Sequence, residues 1–225
     1  MTEPTGLRER KKQRTRAAIS NAAIELFLAH GFDQVSVAQV AEAAEVSRRT
    51  LFAYFPTKES LVVHRFADHE TESARVVRAR PDGRSPLEAL REHFLDGLGR
   101  RDPITGLNDE PGVRALYELI FATPALVARM LEFNQTAEAA LTEALTETAG
   151  VEVGEARVAA AAIVAVLWAL ARQNLAAVVA GRPADEVFPE AEAAAEEAFR
   201  LLDGGFGSLG RGSGVANATG KERHG

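Results

Sequence analysis

Two adjacent arginines, Arg48 and Arg49, follow a serine in the middle of residues 36–58, which read SVAQVAEAAEVSRRTLFAYFPTK. A guanidinium group can donate two hydrogen bonds to the O6 and N7 acceptors of guanine. Arginines at the start of a helix are therefore suited to the major groove of DNA, although either side chain could instead contact only phosphate. The pair predicts a nucleic-acid contact and leaves base reading and phosphate binding both open.

Two short helices joined by a tight turn are needed to present these arginines. Ser36 can cap the first helix with Gln39 as its reciprocal partner, and Ser47 can cap the second. Pro56 disfavours helix at the preceding residue, so the second helix is expected to end near Tyr54. Apolar residues at helical spacing face a common core: Val37, Val40, Ala41, Val46, Leu51 and Phe55. The pattern predicts a helix-turn-helix.

Helices are also predicted on both sides of this pair. The first runs from about Arg10 to His30 and is ended by Gly31. After it, Thr57 is placed to cap a connecting helix that continues from Lys58 as far as residue 77. Phe52 and Phe55 are both assigned to the core of this head, because duplex DNA offers no free base faces for stacking.

The remaining sequence predicts an all-α chain without strands. Helices are expected over residues 87–98, 113–121, 125–148, 155–180 and 185–202, with a loop over 100–112. The predicted organisation is a flexible basic arm (1–9), a helix-turn-helix DNA-binding domain (10–56), a larger helical domain (57–203) and a disordered Gly-rich tail (204–225).

Charge divides along the chain. The 225 residues carry a net charge of −6, yet residues 1–65 hold ten Lys or Arg against seven Asp or Glu. This asymmetry suggests a basic reader joined to an acidic module. There is no cysteine, and the polar N-terminus does not resemble a signal peptide. The 14 uncharged residues 158–171 fall short of the roughly 20 that a spanning helix needs, so we expect a buried helix in a cytoplasmic protein.

The run AAIELFLAHGFDQVSVAQVAEAAEVSRRTLFAYFPTKESL resembles the DNA-binding head of the TetR (tetracycline-repressor-like) family of transcriptional regulators. The resemblance covers about residues 10–65. One departure is Glu45, which stands where the family usually has glycine in the turn, and a positive φ there would be strained. The resemblance implies a ligand-responsive repressor that binds a palindromic DNA operator as a homodimer and is released by a small-molecule effector.

Specific roles follow from the same resemblance. A single head reads too few base pairs for specificity, so a dimer is expected. The last two helices are the expected dimer seam, because their apolar faces are too extensive to leave exposed to water; burial of both helices within one subunit is the alternative. Double-stranded DNA is the expected partner of Thr15, Arg16, Ser36, Ser47, Arg48, Arg49, Thr50, Tyr54 and Lys58.

A ligand cavity is implied among the middle helices. Its candidate lining consists of aromatic or polar residues in otherwise apolar helices: Tyr117, Phe121, Met130, Phe133, Asn134, Trp168, Arg172 and Asn174. A charge beside such an apolar run needs a partner, which for Arg172 could be an anionic ligand, a carboxylate of the same chain or the dimer mate.

Catalytic and metal chemistry find little support in the residues. His64 and Asp68 are four apart and could begin a metal site with His93 or Asp96, but such pairs are usually solvated or salt-bridged. We therefore predict no metal, no cofactor and no catalytic residues. The competing hypotheses are a DNA-binding protein without a ligand and an enzyme that uses a helical cavity.

Overall fold

A computed structural model describes residues 4–205 of the chain, without the side chains of residues 4, 5 and 7–9. These residues contain no strand, which confirms the all-α prediction. Two short 3₁₀ helices, His64–His69 and Pro103–Thr105, accompany the α-helices. In chain order these are α1 (Pro4–His30), α2 (Val37–Ala43), α3 (Arg48–Tyr54), α4 (Ser60–Val63), α5 (Glu72–Ala79), α6 (Pro86–Gly99), α7 (Pro111–Ala122), α8 (Pro124–Ala149), α9 (Val153–Val179) and α10 (Ala184–Asp203).

The predicted caps fix the ends of the helices in the head. Ser36 and Gln39 form a full capping box at the start of α2, with the Gln39 amide 3.3 Å from the Ser36 hydroxyl. Ser47 accepts a hydrogen bond of 3.0 Å from the Thr50 amide and so caps α3. Gly31 has a φ of 86° and ends α1, as expected from its position.

The chain termini differ from the sequence-based division. Helix α1 begins at Pro4, so the segment 4–9, assigned above to a flexible arm, continues the first helix. Residues 1–3 lie outside the described part of the chain, as does the predicted Gly-rich tail beyond residue 205.

The head has a buried core to which α1, α2 and α3 all contribute. Ile19, Phe27, Val40, Leu51 and Phe55 are each at most 1% exposed. The assignment of Phe52 to this core is wrong, because its side chain is 49% exposed. Helix α3 is only two turns long, so residues facing away from α1 cannot be covered by the same core.

The prediction of a single connecting helix after Lys58 is also wrong, because this segment is broken in two places. Helix α4 ends at Val63, a 3₁₀ helix follows, and α5 begins only at Glu72. The run 61–63 is buried at every position and Phe66 is 3% exposed, a pattern that one straight amphipathic helix cannot bury on a single face. The Ser20 hydroxyl donates to the Leu61 carbonyl at 2.7 Å and ties this segment to α1.

Behind the head, α5, α6, α8, α9 and α10 pack around a second core. Val77, Leu98, Leu141, Ala160 and Ala195 are fully buried there. Helix α9 is long and apolar enough to cross a membrane by length and composition alone, with a mean hydropathy of 1.8. Only 28% of that apolar window is buried within the subunit, which leaves much of its small apolar surface uncovered.

Four consecutive residues of the predicted loop before α7 are buried next to α9. Thr105, Gly106, Leu107 and Asn108 all lie in the interior. Side chains replace the water that such a backbone would otherwise bind: the Asn174 amide of α9 donates to the Thr105 carbonyl at 2.9 Å, and the Asn108 amide donates to a carbonyl within the loop.

Gly106 allows this close approach. Its φ is +72°, and an added Cβ would lie 2.0 Å from the carbonyl oxygen of Ala171 in α9. Both the backbone conformation and the space therefore require glycine.

Replacement of Gly106 by alanine is expected to destabilise the protein by about 3 kcal/mol or more, because overpacking adds to the strain of a positive φ. Gly83→Ala is the matched control, since its φ is +81° but nothing lies within 4 Å of its added Cβ. The control should cost only about 1 kcal/mol. Urea unfolding would measure the free energy of unfolding of both variants. Equal losses of stability would show that the contact of Gly106 with α9 is not tight.

Candidate nucleic-acid interface and internal cavity

The outer face of α3 carries an exposed basic and aromatic surface. Arg48 and Arg49 are both exposed, and neither forms an ion pair with any described residue. Phe52 is on the same side as Arg48, one helical turn further along. The face is therefore free to meet another molecule, and it combines two multivalent donors with an apolar ring.

Predicted backbone-contacting residues surround this face to different extents. Ser36 and Ser47 are exposed, whereas Thr50 and Tyr54 are half-buried. The hydroxyls of Ser47 and Thr50 lie 2.8 Å apart and are already bonded to each other. On α1, the Thr15 hydroxyl donates to the Lys11 carbonyl at 3.0 Å.

The two predicted cations at the edge of the head pack on aromatic rings. The Arg16 guanidinium is 5.5 Å from the centre of the Phe55 ring. The Lys58 ammonium is 4.3 Å from the centre of the Phe32 ring and donates a hydrogen bond to the Phe32 carbonyl. Both cations thus contribute to packing of the head, and the Lys58 ammonium, which has three N–H donors, uses one of them on the Phe32 carbonyl.

The region next to Arg16 contains unpaired polar nitrogens. Arg16 Nε and His64 Nδ1 are buried and have no hydrogen-bond partner among the described residues. Burial, followed by the positive charge of Arg16, lowers the pKa of His64 and favours its neutral form. His64 is therefore packed edge-on to Phe55 at the base of the head, away from any metal-ligand arrangement.

A cavity opens within the larger domain, lined by residues between Phe66 and Leu175. Its volume is about 110 Å³, which is room for several water molecules. Seven of the eight sequence-predicted residues line it: Tyr117, Phe121, Met130, Phe133, Asn134, Trp168 and Arg172. Asn174 does not, because its amide is used to hold the Thr105 carbonyl.

One side of the cavity is a connected series of aromatic rings. Phe66 lies 5.6 Å from Tyr117, Tyr117 stacks on Phe121 with an interplanar angle of 16°, and Phe121 lies 5.9 Å from Trp168. The Tyr117 hydroxyl donates to the Pro103 carbonyl at 2.5 Å. Burial, and then the charge of Asp102, raises the pKa of Tyr117 well above its ordinary value, so this residue is a neutral wall.

The other side is polar and was not predicted from the sequence. Glu72 accepts from His69 Nδ1 at 2.6 Å on one carboxylate oxygen and from His93 Nε2 at 3.1 Å on the other. Burial opposes ionisation of Glu72, but the hydrogen bonds from the two imidazoles outweigh it and lower the pKa to about 2. The hydrogen bond to Glu72 in turn raises the pKa of His69.

Only part of this wall could be recognised from residue spacing. His69 and Glu72 are three apart and would share a helical face, but His93 comes from α6 and joins them only in the folded chain. The metal site considered in the sequence analysis would combine His64 with His93 or Asp96. In the structure, Asp96 forms an ion pair with Arg100 instead. Among the described residues, no group of three or more His, Asp or Glu side chains could hold a metal ion.

Arg172 lies at the exposed edge of the cavity. Its guanidinium is 5.7 Å from the centre of the Phe121 ring. No ion pair of Arg172 with a carboxylate is found in the part of the chain that the structure describes. Of the three partners considered for it, an internal carboxylate therefore receives no support.

Comparison with known proteins identifies the chain. A sequence model described as bacterial regulatory proteins, tetR family, matches residues 19–64. The transcriptional regulator TcmR of Streptomyces glaucescens is 34% identical over 151 residues, which is 67% of each chain. The chain belongs to the TetR family.

Other TetR-family proteins agree with this assignment. The transcriptional repressor KstR of Rhodococcus jostii is 30% identical over 164 residues, covering 72% of this chain and 70% of KstR. The Pseudomonas aeruginosa regulator NalD has the same fold, with a TM-score of 0.54 at 23% identity over 84% of this chain and 96% of NalD. TetR-family proteins are DNA-binding transcriptional regulators, mostly repressors, and not enzymes. The enzyme hypothesis is therefore set aside.

The departure of this chain from the family pattern is accommodated as strain. Glu45, in the turn between α2 and α3, has a φ of 53°. The turn is closed by the Val46 amide, which donates to the Ala41 carbonyl at 2.9 Å. The turn keeps its geometry at a modest conformational cost of about 1 to 2 kcal/mol.

Proposed function

We propose that the chain is a ligand-responsive repressor that acts in the cytoplasm. It binds a palindromic operator as a homodimer and releases it when a small molecule occupies the cavity. The observation that carries this proposal is Phe66, which is packed in the same apolar cluster as the head and also lines the cavity. A ligand that contacts this ring acts on the packing beneath the DNA-binding head.

Operator recognition is assigned to α3. Arg48 and Arg49 are the candidates for guanine edges, and the exposed ring of Phe52 suits contact with the methyl group of thymine. Phosphate contacts are assigned to the surrounding polar residues predicted above: Thr15, Arg16, Ser36, Ser47, Thr50, Tyr54 and Lys58. Lys58 and Arg16 have a second role in packing, so their substitution would affect both stability and DNA affinity.

A homodimer is supported by the uncovered face of α9. Val158 is 71% exposed, and Ala165, Ala169, Ala176 and Val179 continue the exposed stripe along the same side of the helix. Small apolar residues allow close helix approach, and a two-fold axis would bury both copies of the stripe together. The exposed positions of α10 are mostly acidic, so α9 contributes the apolar part of the seam.

Effector release is also consistent with a structural relative. A SmeT–triclosan complex has a TM-score of 0.53 with this chain at 17% identity. The likeness concerns the fold, and the effector of this chain follows from its own cavity. A DNA-binding protein without a ligand would not need this cavity, which is why the ligand-responsive reading is favoured.

The proposal is tested with a metabolite panel. An effector is expected to raise the melting temperature and to weaken operator binding at the same concentrations, since binding to one state shifts the population. Ala137→Trp, which places a large ring on the cavity wall, should abolish both responses. Ala139→Trp on the exposed side of the same helix should keep them. Compounds that stabilise the protein without releasing DNA would argue against the proposal.

Base reading is tested by selecting bound sequences from random DNA. Arg48→Ala and Arg49→Ala are each expected to relax the base preference at one symmetric pair of operator positions. The loss of binding free energy for the preferred base there should be about 1 to 3 kcal/mol. Arg157→Ala, an exposed arginine of α9, is the control and should leave the motif unchanged. An unaltered motif for both α3 variants would show that these arginines do not read bases.

Contact of Phe52 with the methyl group of thymine is tested by replacing thymine with uracil in the operator. The replacement should weaken binding of the unchanged protein but should no longer weaken binding of the Phe52→Ala variant.

The dimer seam is tested by Ala165→Glu. Burying this charge against its symmetry mate should convert the dimer to monomer in sedimentation experiments and reduce operator affinity. Ala139→Glu is an exposed control on α8, and Ala193→Glu asks whether α10 takes part. Ala194 and Ala198 of α10 pack against the second core of their own subunit, so a charge placed at either position would report folding instead. A dimer that survives Ala165→Glu would place the seam elsewhere.

A further inference from the structure

The polar wall of the cavity consists of three side chains from three elements. Glu72 on α5 lies between His69, at the end of the 3₁₀ helix, and His93 on α6. The side chains of His69 and Glu72 are only 23% and 21% exposed. Removing a carboxylate from water is costly, and two hydrogen bonds from imidazoles offset that cost.

Each imidazole has one nitrogen committed to Glu72 and one left for another partner. His69 uses Nδ1 and His93 uses Nε2, so the second nitrogens are Nε2 of His69 and Nδ1 of His93. Because all three residues line the cavity, a bound molecule can reach this wall. An ionised Glu72 fixes the orientation of both rings, and its hydrogen bond to His69 raises the pKa of that imidazole.

The rest of the cavity selects for a flat apolar molecule. Six aromatic rings line it, those of Phe66, Phe94, Tyr117, Phe121, Phe133 and Trp168. Stacked and tilted ring contacts favour aromatic ligands over flexible ones. The Tyr117 hydroxyl is committed to the Pro103 carbonyl, which leaves the polar recognition to the opposite wall.

We propose that the effector is an aromatic compound with an acidic hydroxyl group, a phenol or an enol, which binds to the imidazoles of His69 and His93. This inference rests on the proposed function and names the ligand class of the same cavity. A phenol donates to a neutral imidazole, and after one proton moves from oxygen to nitrogen the phenolate accepts from the imidazolium. The hydroxyl therefore keeps a hydrogen bond to one imidazole in either protonation state, and a phenol bonds to both rings when one of them is neutral and the other is protonated.

The charges around the wall disfavour a permanent anion. Glu72 and Asp102 both line the cavity, and Asp68 lies close enough to raise the pKa of His69. A carboxylate ligand placed against the imidazoles would face this negative potential, whereas a hydroxyl brings no fixed charge. Ser73, Thr105, Asn134 and Arg172 are further polar side chains of the lining.

The experiment compares three naphthalenes that differ only in the substituent at position 2: 2-naphthol, 2-methoxynaphthalene and 2-naphthoate. Their affinities are measured by calorimetry on the full-length protein. The proposal expects 2-naphthol to bind about tenfold or more tightly than its methyl ether, as for one hydrogen bond to a strongly basic group. It also expects the bound naphthol to ionise at lower pH than free naphthol, which the absorption band of naphtholate reports.

Matched variants assign that preference to the wall. Glu72→Gln and His69→Phe should reduce the preference for 2-naphthol to about threefold or less and abolish the ionisation shift. Leu167→Ala, an apolar lining residue, should weaken both probes alike. Glu147→Gln, an exposed carboxylate paired with Arg78, controls for loss of charge. Cooperative melting of the Glu72→Gln and His69→Phe proteins would confirm that both variants are folded.

Several results would overturn the inference. Equal affinity for 2-naphthol and its methyl ether, tighter binding of 2-naphthoate, or no binding of 2-naphthol at 1 mM would each do so, where about 1 mM corresponds to roughly −4 kcal/mol. A compound without an acidic hydroxyl that nevertheless releases operator DNA would overturn the ligand class and leave the proposed repressor function intact.

Discussion

The apolar core beneath the DNA-binding head continues into the wall of the cavity, and the other features of the molecule depend on that continuity. Phe27 and Phe55 of the head belong to the same buried cluster as Phe66, Tyr117 and Met130. Well-packed cores do not deform gradually, so displacement of one ring has to be taken up by its neighbours. The head and the larger domain are therefore coupled by contact, without a flexible linker between them.

Local signals in the sequence were sufficient for the parts of the fold that depend on local chemistry. The caps at Ser36 and Ser47, the glycine at position 31 and the stop before Pro56 each act within a few residues, and each predicted boundary is found in the structure. The same holds for the long helices of the larger domain, whose apolar spacing is strong enough to define them.

Features that depend on distant partners could not be predicted in this way. The connecting segment contains no glycine or proline from residue 60 to residue 79, yet it breaks twice because burial of residues 61–63 and Phe66 outweighs helix propensity. The prediction that Asn174 contacts the ligand fails for this reason. Its hydrogen-bond partner, the Thr105 carbonyl, is 69 residues away in the chain and is brought close only by folding. His93 reaches Glu72 only through the packing of α6 against α5, which no spacing rule contains.

The aromatic side of the cavity ends at Trp168, and the sequence contains one tryptophan. An indole responds to a change in its immediate surroundings, and here the surroundings are the cavity itself. The intrinsic emission of the protein thus originates from a single site that a bound molecule would touch. Filling of the pocket can be followed optically without attaching a dye, with the chain serving as its own reporter.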